Sequence, residues 1–439
     1  MGMETPLEKG TDMAIERVEG APHPLEGVRI IELANYMTAP QGTQILANMG
    51  AEVIKVESTT GTGDGSRLVG SYRGDAFDGD RKNAWYEGTN FNKQWMCLDF
   101  RSDEGKEVMF KLLETADLFV TNYRIPALEK MGLDYPTLHE KLPNLPMVHV
   151  NGYGEEGPDR DVPGFEQAGF FARSGLINNI TPLSSPEPAA VTTMVMGDTL
   201  VGLTSALGAM IVLYESKMKG YGDLVTMGCL STALWLQRWL LCDWQYGLKM
   251  PFDHNPSPTI DIFKCKDGKL VALCLTKADD GYNDLMRCLG REDLVDHPVY
   301  SHSAIIAEQH KHAEFTDILR EAFAKFDSQE IVDKLAEFEL SADVCKTFED
   351  VMEDPQVIEN EFFHTIDYGD GDTFMFPNCL LRTRDGGPTE WRLTQARGTD
   401  NEKYLKELGY SDETIAEWRE NGIAPIIPTP TKEELLNAN

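Results

Sequence analysis

The chain has 439 residues, 41% of them hydrophobic, and carries 72 acidic against 40 basic side chains for a formal charge of −32. That length exceeds the size at which one core stops growing, so two domains are expected, and the charge repels nucleic acid and anionic membranes, which excludes both as expected partners. Eight cysteines with no CxxC pair and no zinc-like spacing point to a reducing, cytoplasmic setting with no metal.

Residues 1 to 24 lack the apolar run of a signal peptide and read as a loose arm. "GVRIIELANYMTAPQGTQILANMGAEVIKVES" (27 to 58) then reads as strand, turn, helix, strand, the helix ending at Gly50. A second unit follows, with "MCLDF" (96 to 100) as a strand, a helix from about Ser102 to Ala116, and "DLFVTN" (117 to 122) and "MVHVNGYG" (147 to 154) as further strands. Strands alternating with helices predict an α/β fold, a Rossmann-like parallel sheet with right-handed crossovers. The most apolar window, "TLVGLTSALGAMIVLYESK" (199 to 217), is rich in small residues and ends in mixed charge, which predicts a buried helix and no membrane insertion.

The texture changes at the Pro-rich "PFDHNPSPTID" (251 to 261), followed by "IFKCKDGKLVALCL", a hairpin turning at Asp267–Gly268, and by helical stretches to about 340. These predict a smaller α+β domain. The expected division is a large domain over 25–245, a small domain over 246–374 and a C-terminal segment over 375–439 with two surface helices between 400 and 423.

Four stretches bear on chemistry. The run "TTGTGDGSR" (59 to 67) lacks dinucleotide-fingerprint spacing and reads as a mobile loop or a flap over a ligand. Lys93 and Arg101 flank an apolar strand, as solvated charges or as a phosphate site beyond a strand end. "PGFEQAGFFARSG" (163 to 175) gathers three phenylalanines around Glu166 and Arg173, either a core-packing loop or an apolar substrate pocket. Asp198, in "MVMGDTLVG", suits a helix N-cap. The residues favour that reading, but the position also suits a nucleophile, because an ionised carboxylate needs no separate base to attack an acyl carbon, with Gly197 leaving room for a thioester.

The ordered set "PLEGVRIIELANYMTAPQGTQILANMGAEVIKVES", "LDFRSDEGKEVMFKLLETADLFVTNY", "ALEKMGLDY", "NGYGEEGP", the Gly197–Asp198 pair and "LKELGYSDETI" resembles the class III CoA-transferases, from about Leu25 to Gly422. "ELANYMTAP", "GPDRDVPGFEQAGFFARSG" and "LGREDLV" are similar to the subgroup that, in amino-acid fermentation, moves CoA from acyl- or enoyl-CoA thioesters to (R)-2-hydroxy acids. The resemblance implies an interlocked ring-like homodimer whose large domain joins N- and C-terminal parts of the chain. It implies acyl-CoA and carboxylic acids as substrates, with coenzyme A entering as substrate, and Asp198 as nucleophile. CoA contacts carried over by it are Asn35, Tyr36, Met37, Ala39, Leu98, Phe100, Arg101, Asn122, Tyr123 and Lys130, and the acyl pocket takes in Phe165, Glu166, Phe170 and Gly197. Backbone N–H groups of Tyr36 to Ala39 are expected to stabilise oxyanions, and Glu166 to position Asp198. Met37 departs from a glutamine of the formyl-CoA enzyme, and "SPTID" (257 to 261) from its mobile Gly-rich loop. Phe165 replaces the histidine base of related acyl-CoA racemases, which leaves racemisation as the alternative the residues favour less.

Overall fold

The computed structural model describes residues 21–72, 77–189, 195–247, 257–383 and 389–437. The chain divides into two compact units, one of Met1–Ser174, Ala190–Arg238 and Phe362–Asn439, the other of Gly175–Ala189 and Trp239–Glu361. The smaller unit therefore starts and ends before the expected 246 and 374, and it also takes in an excursion, Gly175–Ala189, from the large-domain sequence.

In the larger unit six strands form one sheet: β1 (Arg29–Leu33), β2 (Glu52–Ser58), β3 (Gln94–Leu98), β4 (Leu118–Thr121), β5 (Met147–Asn151) and β6 (Leu224–Gly228). Their order is β3-β2-β1-β4-β5-β6, and every pairing is parallel. This is the doubly wound arrangement, in which the order reverses between β1 and β4 and leaves a crevice beyond their carboxyl ends. Every residue of β4 is buried, so its Leu-Phe-Val run is continuous rather than alternating.

Helix α1 (Thr38–Asn48) links β1 to β2, α2 (Asp103–Glu114) links β3 to β4, α3 (Met196–Lys219) precedes β6 and α4 (Cys229–Leu236) follows it. Ser102 opens α2 by accepting the Gly105 N–H at 3.0 Å, with Asp103 and Glu104 in the first turn where the helix dipole favours negative charge. At the sheet edge the Trp95 N–H donates to Asp400 at 2.7 Å and the Cys97 N–H to Asn401 at 2.9 Å. Side chains of the returning C-terminal segment thus occupy the strand edge that would otherwise pair with another chain.

Helices α1 and α3 meet through glycines. A β-carbon on Gly42 would lie 2.9 Å from the Gly202 carbonyl, and one on Gly202 would lie 3.0 Å from the Thr38 carbonyl. By length and composition α3 resembles a membrane span, yet Val201, Ser205, Ala209 and Val212 bury one face of it as a core helix does.

In the smaller unit β7 (Ile260–Lys264) and β8 (Leu270–Cys274) form the hairpin expected at Asp267–Gly268, and β9 (Ala342–Val344) extends it antiparallel. Phe263, Leu285, Phe315, Leu319 and Phe323 centre its separate core. A second hairpin, β10 (Phe363–Asp367) with β11 (Thr373–Pro377), belongs to the larger unit.

Candidate active site

The chain leaves β1 at the topological switch point, and its next residues are fixed by the chain leaving β4. Asn122 accepts the Asn35 N–H at 2.9 Å and donates to the Asn35 carbonyl at 2.7 Å. Tyr36 then takes a left-handed backbone (φ 60), a conformation costing a non-glycine residue about 1–3 kcal/mol. Its N–H is held at 2.9 Å by Asp64 Oδ1, and Asp64 is held at 2.8 Å by Lys55. Asn35, Tyr36, Met37, Asn122, Tyr123, Phe165 and Asp198 line a single cavity of about 360 Å³ at this point.

Asp198 reaches the cavity from the first turn of α3. The N-cap position belongs to Val195, a β-branched residue held at φ 45, so the capping role weighed for Asp198 falls elsewhere. Glu166 fills it: its Oε1 accepts the N–H of Gly197 at 2.6 Å and of Asp198 at 3.3 Å. Glu166 is delivered by a wide, π-type helical turn, Glu166–Ala172; just before it Gly164 touches Gly152, the residue after β5, backbone to backbone, a β-carbon on Gly152 falling 2.5 Å from Gly164 Cα.

No hydrogen-bond donor reaches the Asp198 carboxylate among the described residues. Burial first, and the Glu166 charge second, push its pKa up to about 7. Glu166 is itself raised by burial, opposed by the two N–H groups that it accepts. Asp198 is therefore not simply the ionised carboxylate expected from composition; its burial and the neighbouring Glu166 bring its proton exchange close to neutrality. If the carboxylate is the attacking form, kcat/KM will rise with pH through about 7 and level off above it. Glu166→Gln removes the like charge and will move that limb to lower pH; a profile flat from pH 5.5 to 8 would exclude Asp198 as the titrating nucleophile.

Other expected residues divide by position. Phe170 is fully buried and packs on Gly197, where a β-carbon would sit 2.6 Å from its ring. The glycine therefore makes room for a core phenylalanine rather than for a thioester, and Phe165 alone of the three phenylalanines lines the cavity. Ala39 is buried in α1. Leu98 lies in the core with Phe100 packed on it, and Arg101, exposed and paired with Asp99 at 2.8 Å, stands with them at the end of β3, outside the cavity wall. Lys130 is exposed on the helix Ile125–Met131, whose Ile125 and Ala127 do line the cavity. Lys93 is neither solvated nor a phosphate ligand: it is wholly buried and pairs with Glu32 at 2.7 Å. The Tyr36 N–H, given to Asp64, is no oxyanion donor. Thr38 and Ala39, the first residues of α1, keep N–H groups that have no acceptor within the helix.

Sequence reasoning missed Arg124, Arg160, His149 and Cys229, all in the cavity wall. Arg124 and Arg160 supply the local positive charge that an anionic ligand needs against the overall field; "NYRIP" and "GPDRD" could have signalled them. Both ring nitrogens of His149 are engaged, with Glu155 and with the Tyr123 carbonyl at 2.8 Å. Burial holds the Cys229 thiol up at about 12, so it is no competing nucleophile.

The geometry has counterparts. The family model for CoA-transferase family III matches residues 25–397. An (R)-2-hydroxy-4-methylpentanoate CoA-transferase of Clostridioides difficile is 32% identical, over 91% of this chain and 99% of that protein. A cinnamoyl-CoA:phenyllactate CoA-transferase of Clostridium sporogenes is also 32% identical, over 89% of this chain and 95% of its own. A Brucella suis CaiB/BaiF family structure superposes with a TM-score of 0.72 at 23% identity, covering 88% of this chain and 100% of its own, which supports the fold. The chain belongs to the family III CoA-transferases and is an enzyme of that class.

Proposed function

We propose that this enzyme moves CoA from an acyl- or enoyl-CoA to an (R)-2-hydroxy acid with an aryl or branched side chain, through covalent intermediates on Asp198. The observation that carries this reading is a carboxylate with no donor among the described residues, facing a cavity at the switch point whose wall also holds two arginines. The carboxylate oxygen attacks the thioester carbonyl, the C–S bond breaks, and CoA thiolate leaves behind a mixed anhydride. The thiolate attacks the aspartyl carbonyl, expels the donor acid as its carboxylate and forms an Asp198–CoA thioester. The acceptor's carboxylate then attacks that thioester, releasing thiolate and forming a second anhydride. Attack of the thiolate on the acceptor's acyl carbon frees Asp198. The N–H of Thr38, in the cavity wall, stabilises the oxyanions, and Glu166 fixes the start of α3 that carries the nucleophile.

The acyl preference is supported by the substrates in the relatives' names and by an apolar wall of Ile125, Val162 and Phe165. Racemisation would need a free base at the α-carbon, and the cavity's histidine has both nitrogens occupied. The enzyme works as an interlocked homodimer in the cytoplasm. An exposed stripe of Leu203, Leu207, Ile211, Tyr214 and Met218 along α3 offers the apolar surface for self-association, and eight free thiols suit a reducing compartment.

Intact-protein mass spectrometry after mixing with a panel of acyl-CoAs, with hydroxylamine trapping and peptide mapping, tests the chemistry. An acyl or CoA adduct is expected on Asp198. No adduct with any donor, in protein shown to bind CoA, would leave Asp198 a structural residue. Turnover with phenyllactate is expected to exceed turnover with lactate, and a strong preference for lactate would sink the apolar-pocket assignment.

A further inference from the structure

The Gly-rich run 59 to 67 reads in sequence as a mobile loop or a flap, but its second half, from Asp64 on, is largely buried inside the fold. Asp64 and Ser66 are fully buried and Arg67 nearly so. Asp64 accepts the Ser66 N–H at 2.9 Å, the Ser66 hydroxyl at 2.7 Å and the Tyr36 N–H at 2.9 Å through one oxygen, while Lys55 holds the other at 2.8 Å. Its own N–H donates to Glu57 at 2.8 Å. The next residue, Gly65, lies against the phenol end of Tyr36: a methyl group there would overlap the ring's Cζ and hydroxyl and come within 2.9 Å of Cε1. The segment thus holds Tyr36 twice, by its backbone N–H and by the phenol end of its ring.

The held ring has a partner across the cavity. Tyr36 and Phe165 meet edge to face, with centroids 5.9 Å apart. Both remain open to solvent, Tyr36 at 43% and Phe165 at 55% of their surface, and both line the cavity with Asp198. Two half-exposed rings meeting beside a nucleophile make an apolar surface that a phenyl or isobutyl side chain can cover, and that a methyl group covers poorly.

We propose that Tyr36 and Phe165 form the acyl-selecting pair of this enzyme, and that Asp64 and Gly65 are the positioning residues that fix Tyr36 within it. This rests on the proposed preference for aryl or branched 2-hydroxy acids and assigns that preference to one pair of rings and one support. Gly65 itself has no positive φ, so alanine fits its backbone and disturbs only the ring against it. That makes Gly65→Ala a selective probe of ring position.

The experiment is a double-mutant cycle on selectivity: the ratio of kcat/KM for phenyllactate to that for lactate, in the wild type, Gly65→Ala, Tyr36→Gly and the double variant. Tyr36→Gly keeps a residue at ease with the left-handed backbone and removes the ring. The expected result is a wild-type ratio well above one, a drop of about tenfold in each single variant, and no further drop in the double variant, because Gly65 acts only through the Tyr36 ring. Tyr36→Phe, which retains the ring, should keep the wild-type ratio. An unchanged ratio in Gly65→Ala, or effects that simply multiply in the double variant, overturns the support role while leaving the preference standing. A wild-type ratio below one overturns both the ring pair and the substrate preference that it explains.

Discussion

Replacing Asp198 with asparagine will abolish CoA transfer, by roughly 10⁴-fold or more, because an amide cannot form the anhydride and nothing else in the cavity replaces the nucleophile. The same change will stabilise the protein at alkaline pH. The folded-state pKa of Asp198 is raised from 3.8 to about 7, so the folded state holds its proton more tightly than the unfolded chain does. Below about pH 4 both states are protonated and the group costs nothing. As pH rises from 4 to 7 the unfolded chain ionises first and stability falls; above 7 the penalty is complete. That rise sets an upper bound of about 4 kcal/mol, and partial exposure brings the expected gain for the asparagine variant to roughly 2 kcal/mol at pH 8, with none at pH 4. A paired measurement checks both halves: turnover, and unfolding midpoints at the two pH values. An asparagine variant that is inactive and less stable at pH 8 would mark Asp198 as a structural residue whose loss damages the site indirectly.

Much of the fold was legible because the strands are short apolar runs bounded by turn residues. "VRIIEL", "AEVIKVE" and "DLFVTN" each contain a strand within a residue or two of its observed ends, and right-handed crossovers leave few topologies open. The charged residues within those runs were harder to place. Lys55 looks like an ordinary surface charge, yet strands covered on both faces have no outside, so a charge within one must find a partner indoors. The register carries the clue, since Glu32 lies directly opposite Lys55. Asp198, Asn35, Tyr36 and Asn122 could be singled out from the sequence, and they do meet in one cavity wall. The site was not legible where the partner is distant in sequence. The N-terminus of α3 is capped by Glu166, 32 positions before Asp198, and no local pattern distinguishes that arrangement from an aspartate capping its own helix.

Lys55→Met will be the most destabilising single change on the sheet side of the site, at about 3–5 kcal/mol. The ammonium is fully buried between Glu32 at 2.7 Å and Asp64 at 2.8 Å and also donates to the Ala34 carbonyl at 2.9 Å. The pKa of Lys55 is pushed upward by these carboxylates against the effect of burial, so the group is charged at any working pH. Methionine fills the volume but strands the charge. Glu32 retains Lys93 at 2.7 Å, whereas Asp64 retains only N–H and hydroxyl donors, one of them the Tyr36 N–H. The cost therefore falls on the carboxylate that holds the left-handed turn at the cavity. An exposed pair such as Lys111 with Glu107, at 2.8 Å, contributes under about 1 kcal/mol by comparison, because water solvates either partner when the other is removed. Urea unfolding of Lys55→Met beside Lys111→Met separates the two cases. Equal losses would mean that water reaches Asp64 and that the turn at Tyr36 does not depend on the buried charges; a loss confined to Lys55→Met ties the stability of the sheet and the shape of the site to the same ion.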